Sequence, residues 1–148
     1  TCALPILESA LLREVDNAFE HPVEVDSMLE CLEVLVNLIG ENKKAMLHIY
    51  CSVQRETFTS VLDKMCQYVI KQYIVHNFEE EIMEKEDMKV LMHFYKCVMI
   101  GVILDWMDHR MSYDLTEYAE KLRELYENTF EKTLEKVAGT KPAYLKIV

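Results

Sequence analysis

An all-α fold, a single helical-bundle domain of about six helices, is predicted for this 148-residue chain by three observations. The first is a count of three Gly and three Pro. A sheet protein needs turn residues about every 8–12 positions, and so few cannot supply them. The second is the recurrence of apolar residues at spacings of three and four, the period of one helical face. The third is a composition of 51% hydrophobic and 28% charged residues, which furnishes a core and argues against disorder. A chain of this size buries roughly 68–70% of the surface its unfolded form exposes, so one domain is expected.

Each element has its own signal. Leu4, Leu7, Leu11, Val15 and Phe19 make a first helical face, ended by His21-Pro22 because the residue before proline is driven out of helical geometry. Asp26 or Ser27 then offers an N-cap to a helix through Ile39, with Gly40 as its C′ residue. Asn42 caps a short helix over 43–51, and a long one starts near 52–55 and lasts to about Asn77. The stretch 79–87 (EEEIMEKED) holds six acids and one Lys and is expected to be a solvated connection. A fifth segment spans about 87–111. A box-like Asp114-Leu-Thr-Glu117 opens the last helix, which runs to Val137 with Gly139 just beyond. Residues 1–20 read as a possible connecting helix, 25–137 as the core of the domain and 140–148 as a tail.

Charge and motif content exclude several functions. The balance of 16 Lys+Arg against 26 Asp+Glu gives −10, and the only adjacent basic pair is Lys43–Lys44, a poor surface for phosphate backbones. Neither GxGxxG nor GxxxxGK[ST] can be written with Gly40, Gly101 and Gly139. Five Cys with no CxxC read as free, mostly buried thiols in a reducing cytosol. The longest purely apolar run, Cys97 to Leu104, is far below the ~18 residues of a bilayer span, so no membrane association is expected. Without HExxH, GxSxG or Glu-x-x-His no catalytic residues are assigned. His93/Cys97 and Asp105/His109 are i,i+4 pairs, but zinc takes three or four ligands and neither pair has a matching partner. No metal and no cofactor are expected. Cys51 and Cys66 lack the electropositive surroundings of a reactive thiol.

The helices differ in how much of their circumference is apolar. The last carries one stripe, from Leu115 and Tyr118 through Leu122, Leu125, Tyr126 and Phe130 to Val137, opposite a charged face. The helix ending at Asn77 is apolar on two sides, Phe58, Val61, Leu62, Met65, Val69 and Tyr73 on one, Cys66, Ile70 and Ile74 on another. The fifth segment also has two stripes: Leu91, Tyr95, Val98, Val102 and Trp106, then Val90, Phe94, Cys97, Gly101 and Leu104. Two stripes need two partners, the core and either another layer or a second subunit. Gly101 costs about 0.5–1 kcal/mol relative to Ala within a helix, a cost recovered where another backbone comes close, in the same chain or in a symmetry mate.

FYKCVMIGVILDWM (94–107), the polar hinge HRMSYD (109–114) and the amphipathic helix after it resemble the C-terminal helix pair of TetR-type transcriptional regulators. LECLEVLVNLIGENKKAMLHIYCS (29–52) is similar to that family's helix, turn and short helix. The match spans about 25–137, and its flavour is that of the subgroup with the dihydroxyacetone-kinase operon activator. The family's basic helix-turn-helix does not occur in these residues, so the resemblance implies an effector-binding and dimerisation half, with DNA bound through residues outside it. It implies a homodimer in which the last two long helices form a four-helix bundle. That puts Cys97, Gly101, Leu104, Leu122, Leu125, Tyr126 and Phe130 in the interface. It further implies a cytoplasmic protein whose small-molecule effector enters the core.

Candidates for that pocket are Met46, Tyr50, Phe58, Met65, Tyr73, Met92 and Tyr95, since ligand pockets are mostly apolar with a few polar groups. The phenols of Tyr50, Tyr73 and Tyr95 need hydrogen-bond partners if buried, and a ligand is one option. At each single position plain core packing is the stronger expectation, since Met and aromatics at helical spacing are commonly core. A rival expectation from another class is a stand-alone acidic interaction module, of immunity or adaptor type, using its surface against a basic partner.

Overall fold

Ser27 opens the first described helix, α1 (Met28–Glu41), its Oγ accepting the Glu30 N–H at 3.2 Å. Such a cap contributes about 1 kcal/mol by satisfying a donor that the first turn leaves orphaned. The coordinates are those of a computed structural model, and the described residues are 27–52, 55–126 and 129–139, with Ser9, Arg13 and Asn17 as isolated helical positions. The expected connecting helix over 1–20 otherwise lies outside the described residues, as does the tail 140–148.

The end of α1 departs from expectation in an instructive way. Gly40 sits inside the helix, and the chain turns one residue beyond Glu41, at Asn42. Asn42 makes no side-chain cap to the following helix, α2 (Lys43–Tyr50). Its Nδ2 donates backward to Leu38 O at 3.1 Å, closing α1 instead. Helix α3 (Arg55–Asn77) follows, and it is buried on both of its apolar sides: Phe58, Leu62, Met65, Val69 and Tyr73, with Val61 half-buried at the edge, and equally Cys66, Ile70 and Ile74. A helix apolar on most sides requires neighbours on most sides. α3 has them, packing on α1, α2 and α4 (Glu86–Asp108).

The acidic stretch before α4 is not wholly solvated. Residues Glu80–Glu84 form a 3-10 turn that drives Ile82 into the core while its described acids stay outside. α4 ends at Asp108, three residues earlier than the pattern predicts. Arg110 and Met111 both take φ 55°, a left-handed conformation that costs about 1–2 kcal/mol per non-Gly residue. Met111 N–H closes this turn on Trp106 O at 2.9 Å, Trp106 Nε1 donates to Tyr113 O at 3.0 Å, and Met111 is buried. These contacts offset the strain and reverse the chain.

Asp114 then caps α5 (Leu115–Tyr126), its Oδ1 accepting the Glu117 N–H at 3.0 Å. The single last helix that was expected is described as two segments, α5 and α6 (Thr129–Ala138), with residues 127–128 outside the description. The two have different neighbours: α5 packs on α1 and α6 on α4. Gly139, at φ 71°, ends α6 in the left-handed region and donates to Glu135 O at 2.8 Å. Lys85 Nζ reaches the last carbonyls of α6, Ala138 O at 3.0 Å among them, which sets the end of α6 beside the start of α4. The α5–α6 stretch therefore runs back along α4. Helix is the sole regular secondary structure among the described residues, and the fold is an all-α single domain.

Candidate functional site

The rotation of α4 about its own axis decides what this domain presents. Its deeply buried line is Met88, Tyr95, Met99, Ile103, Trp106 and Met107. At 100° per residue the opposite side carries Val90, Phe94, Val98 and Gly101. The side chains of Val90, Phe94 and Val98 are 61%, 56% and 46% exposed. A Cβ placed on Gly101 meets nothing within 4 Å, so no neighbour among the described residues approaches it. Of the two stripes expected, Val90, Phe94, Cys97 and Gly101 do face outward, with Leu104 half-buried at the border. Val98, from the other stripe, is exposed as well. The core side is set by Met99, Ile103 and Met107, which the stripe reading omitted, although their i,i+4 row from Tyr95 is legible in the sequence.

α5 extends this apolar surface. Leu115 and Ala119 are buried, whereas Tyr118, Leu125 and Tyr126 remain 46%, 73% and 47% exposed and Leu122 is half-buried. The single wet side and single buried side expected of this helix thus becomes a buried edge and a wide uncovered one. The Phe130 side chain lies outside the described residues. Between α1, α4 and α5 runs an apolar groove of about 370 Å³, walled by Leu29 and Leu32, by Phe94, Val98 and Val102, and by Tyr118, Leu122 and Tyr126. Contiguous apolar surface of this kind marks interaction sites on soluble proteins. The same two-sidedness makes α4 apolar enough by length and composition to cross a bilayer, with a mean hydropathy of 1.5 over an 18-residue window.

The candidate pocket residues are distributed as follows. Met46, Tyr50, Phe58, Met65 and Tyr73 are buried where α2 and α3 meet the rest of the core. Tyr95 is buried in α4 and lines the inner end of the apolar groove. Met92 is half-buried and lines a different, more polar groove between α3 and α4. Tyr50 has its own protein partners. Its hydroxyl donates to the Asp108 carboxylate, accepts from Arg55 at 2.5 Å, and its ring packs edge-on to Phe58 with the Arg55 guanidinium 4.5 Å above it. Arg55 also pairs with Asp108 at 3.2 Å. Burial, then the Asp108 carboxylate, push the Tyr50 phenol up to about 12. This cluster ties the end of α2 and the start of α3 to the end of α4. No sequence signal could have found it, because Asp108 is 58 residues from Tyr50. Burial, and then the nearly buried carboxylate of Glu131 on α6, likewise push the Tyr95 phenol up to about 12.

The thiols divide evenly among the described residues, where mostly buried ones were expected. Cys31 and Cys66 are buried, and Cys51 and Cys97 are exposed. Burial pushes the Cys66 thiol up to about 12 and Cys31 higher still, so both stay protonated and inert at neutral pH. Cys97 Sγ lies 3.8 Å from His93 Nε2, and His109 Nδ1 bonds Asp105 O at 2.8 Å. Among the described residues no three His, Cys, Asp or Glu side chains converge as a metal site would need.

A family model described as the transcriptional regulator C-terminal region, of TetR type, matches residues 26–140. The chain belongs to this family. Its matched span takes in all six described helices, from the Ser27 cap of α1 to the Gly139 stop of α6. No curated protein and no solved structure matches the chain. The TetR regulator domain thus joins a buried apolar core to a helix, α4, whose outer side is exposed among the described residues.

Proposed function

We propose that this chain is the effector-binding and dimerisation half of a TetR-type regulator, and that two copies pair through the outer side of α4 together with α5. The observation that carries the reading is the uncovered apolar surface around Gly101, where the chain has exchanged helix stability for access by another backbone. In such a pair the partner's side chains fill the groove between α1, α4 and α5, and Cys97, Leu104, Leu122, Leu125, Tyr126 and Phe130 join the contact. A small, largely apolar effector enters among Met46, Tyr50, Phe58, Met65, Tyr73, Met92 and Tyr95. It acts by binding two global states with different affinity, since only differential affinity shifts an equilibrium. DNA is read by residues outside this chain, consistent with its charge of −10. The setting is the cytoplasm, and the likeness to the dihydroxyacetone-kinase operon activator marks the subgroup to test first.

Light scattering on the purified chain is expected to give twice its 17.4 kDa mass. Val98→Asp is expected to give a folded monomer, because a carboxylate desolvated in an apolar interface costs several kcal/mol or about 100-fold or more in affinity. A monomeric wild-type chain sinks the reading and favours the adaptor alternative. The effector half of the proposal is checked by melting temperature across a set of small apolar compounds, with a rise of several degrees expected for a ligand in large excess over its Kd.

A further inference from the structure

A second groove, of about 440 Å³, lies between α3, the 3-10 turn and α4. Its floor is apolar: Ile70 from α3, Met83 from the turn and Met92 from α4. Three lysines stand along it, Lys71 on α3, Lys89 and Lys96 on α4, against a single lining carboxylate, Glu84. In a chain carrying 26 acids and 16 bases, a concavity with this local sign is the reverse of the average surface. The lysines are held differently. Lys96 is 19% exposed in its side chain and fixed by Asp63 at 3.1 Å, and Asp63 is held in turn by Gln67 at 2.6 Å. Lys89 pairs with Glu84 at 3.2 Å, but the Glu84 side chain is 83% exposed, a loosely seated carboxylate. Lys71, on the facing wall, has no ion pair among the described residues.

We infer that this groove binds a small amphipathic carboxylate, its acid group between Lys71 and Lys89 and its hydrocarbon part on Ile70, Met83 and Met92. Glu84 shows the chemistry: a carboxylate already sits on Lys89, and a ligand's carboxylate replaces it like for like while gaining Lys71 from across the groove. An exposed ion pair is worth about 0–1 kcal/mol, so displacing Glu84 is cheap, and the apolar floor supplies the remaining affinity. Pockets of this size fit compounds of small-metabolite dimensions. This groove shares only Met92 with the effector residues proposed above, so the inference concerns a second ligand site beside that one.

The test is titration calorimetry of octanoate, and separately octan-1-ol, into the full chain at low salt. Octanoate is expected to bind about tenfold more tightly than the alcohol, the equivalent of about 1.4 kcal/mol. The double substitution Lys71→Gln/Lys89→Gln, at two exposed positions, is expected to abolish that preference while leaving the alcohol's affinity unchanged. Glu84→Gln is expected to tighten octanoate about threefold by removing its competitor, a sign that general damage to the fold would not produce. Equal affinity for acid and alcohol, a preference that survives the lysine substitutions, or no binding of octanoate at all overturns the inference. The dimer and the response to neutral compounds are read in their own measurements, so the broader effector reading stands or falls separately.

Discussion

Tyr95, Met99, Ile103 and Met107 on the inner side of α4 are no more than 5% exposed, whereas Val90, Phe94 and Val98 on its outer side are 46–61% exposed. The two sides use the same kinds of residue and belong to one helix. They differ in what stands opposite: α3 and α6 pack against α4, and among the described residues no element covers the centre of the outer side. Apolar surface is placed in water at about 25 cal/mol per Å², so an uncovered side is a cost that a partner relieves. Composition along a helix thus reports how many partners it has, and rotation reports which of them lie within the chain.

The contrast can be broken first on the inner side. Ile103→Ala removes fully buried methyl groups from a packed site and is expected to cost about 2–5 kcal/mol in urea denaturation. The equivalent truncation Val90→Ala on the outer side is expected to stay within about 0.5 kcal/mol in a monomeric background. A similar cost at both positions would erase the distinction.

Alkaline pH sharpens the same contrast through ionisation. Burial raises Tyr95 from its ordinary value of 10.0 to about 12 and Cys66 from 9.0 to about 12, so the folded state retains protons that the unfolded chain releases. The stability these groups contribute is fully present below pH 9 and is lost as pH rises from 9 toward 12. The loss is on the order of several kcal/mol for the two groups together, read from urea midpoints across that range. Tyr95→Phe is expected to flatten part of the fall, and an unchanged profile would show that the phenol is not held in the interior.

Gly101→Ala tests the outer side from the opposite direction. Its Cβ meets open space, so the monomer is expected to gain about 0.5–1 kcal/mol of helix stability while self-association weakens, in paired measurements of unfolding and dimer dissociation. A gain in both would mean that no second backbone comes close there. The smallest effect is expected where α4 ends and neither side is involved. Arg110→Gly removes one left-handed penalty and is expected to stabilise the chain by up to about 1 kcal/mol in thermal melting.

Much of this organisation is legible in the sequence. The Ser27 and Asp114 caps, the Gly139 stop, the doubly apolar α3 and the presence of two apolar stripes on α4 follow from residue types at helical spacing. Less legible is what depends on neighbours far along the chain. Asn42 looks like an N-cap and closes the preceding helix instead, because its amide finds the Leu38 carbonyl. Ile82 sits in an acidic run and is buried nonetheless. Of the candidate pocket residues, Met92 resembles the others in chemistry, and the fold sets it in a groove whose lysines come from two helices.

Local rules of periodicity and capping, which act within a few residues, were enough for the sequence alone to settle that this is a helical protein, where most of its helices begin, and that two of them have more apolar surface than one partner can cover. The tertiary structure alone decided which way α4 is turned, that Val98 and Tyr118 belong to the open side, and that Tyr50, Arg55 and Asp108 meet. The reason is physical: a helix can rotate about its axis without changing its own hydrogen bonds, so its orientation is fixed by the packing of side chains distant in sequence.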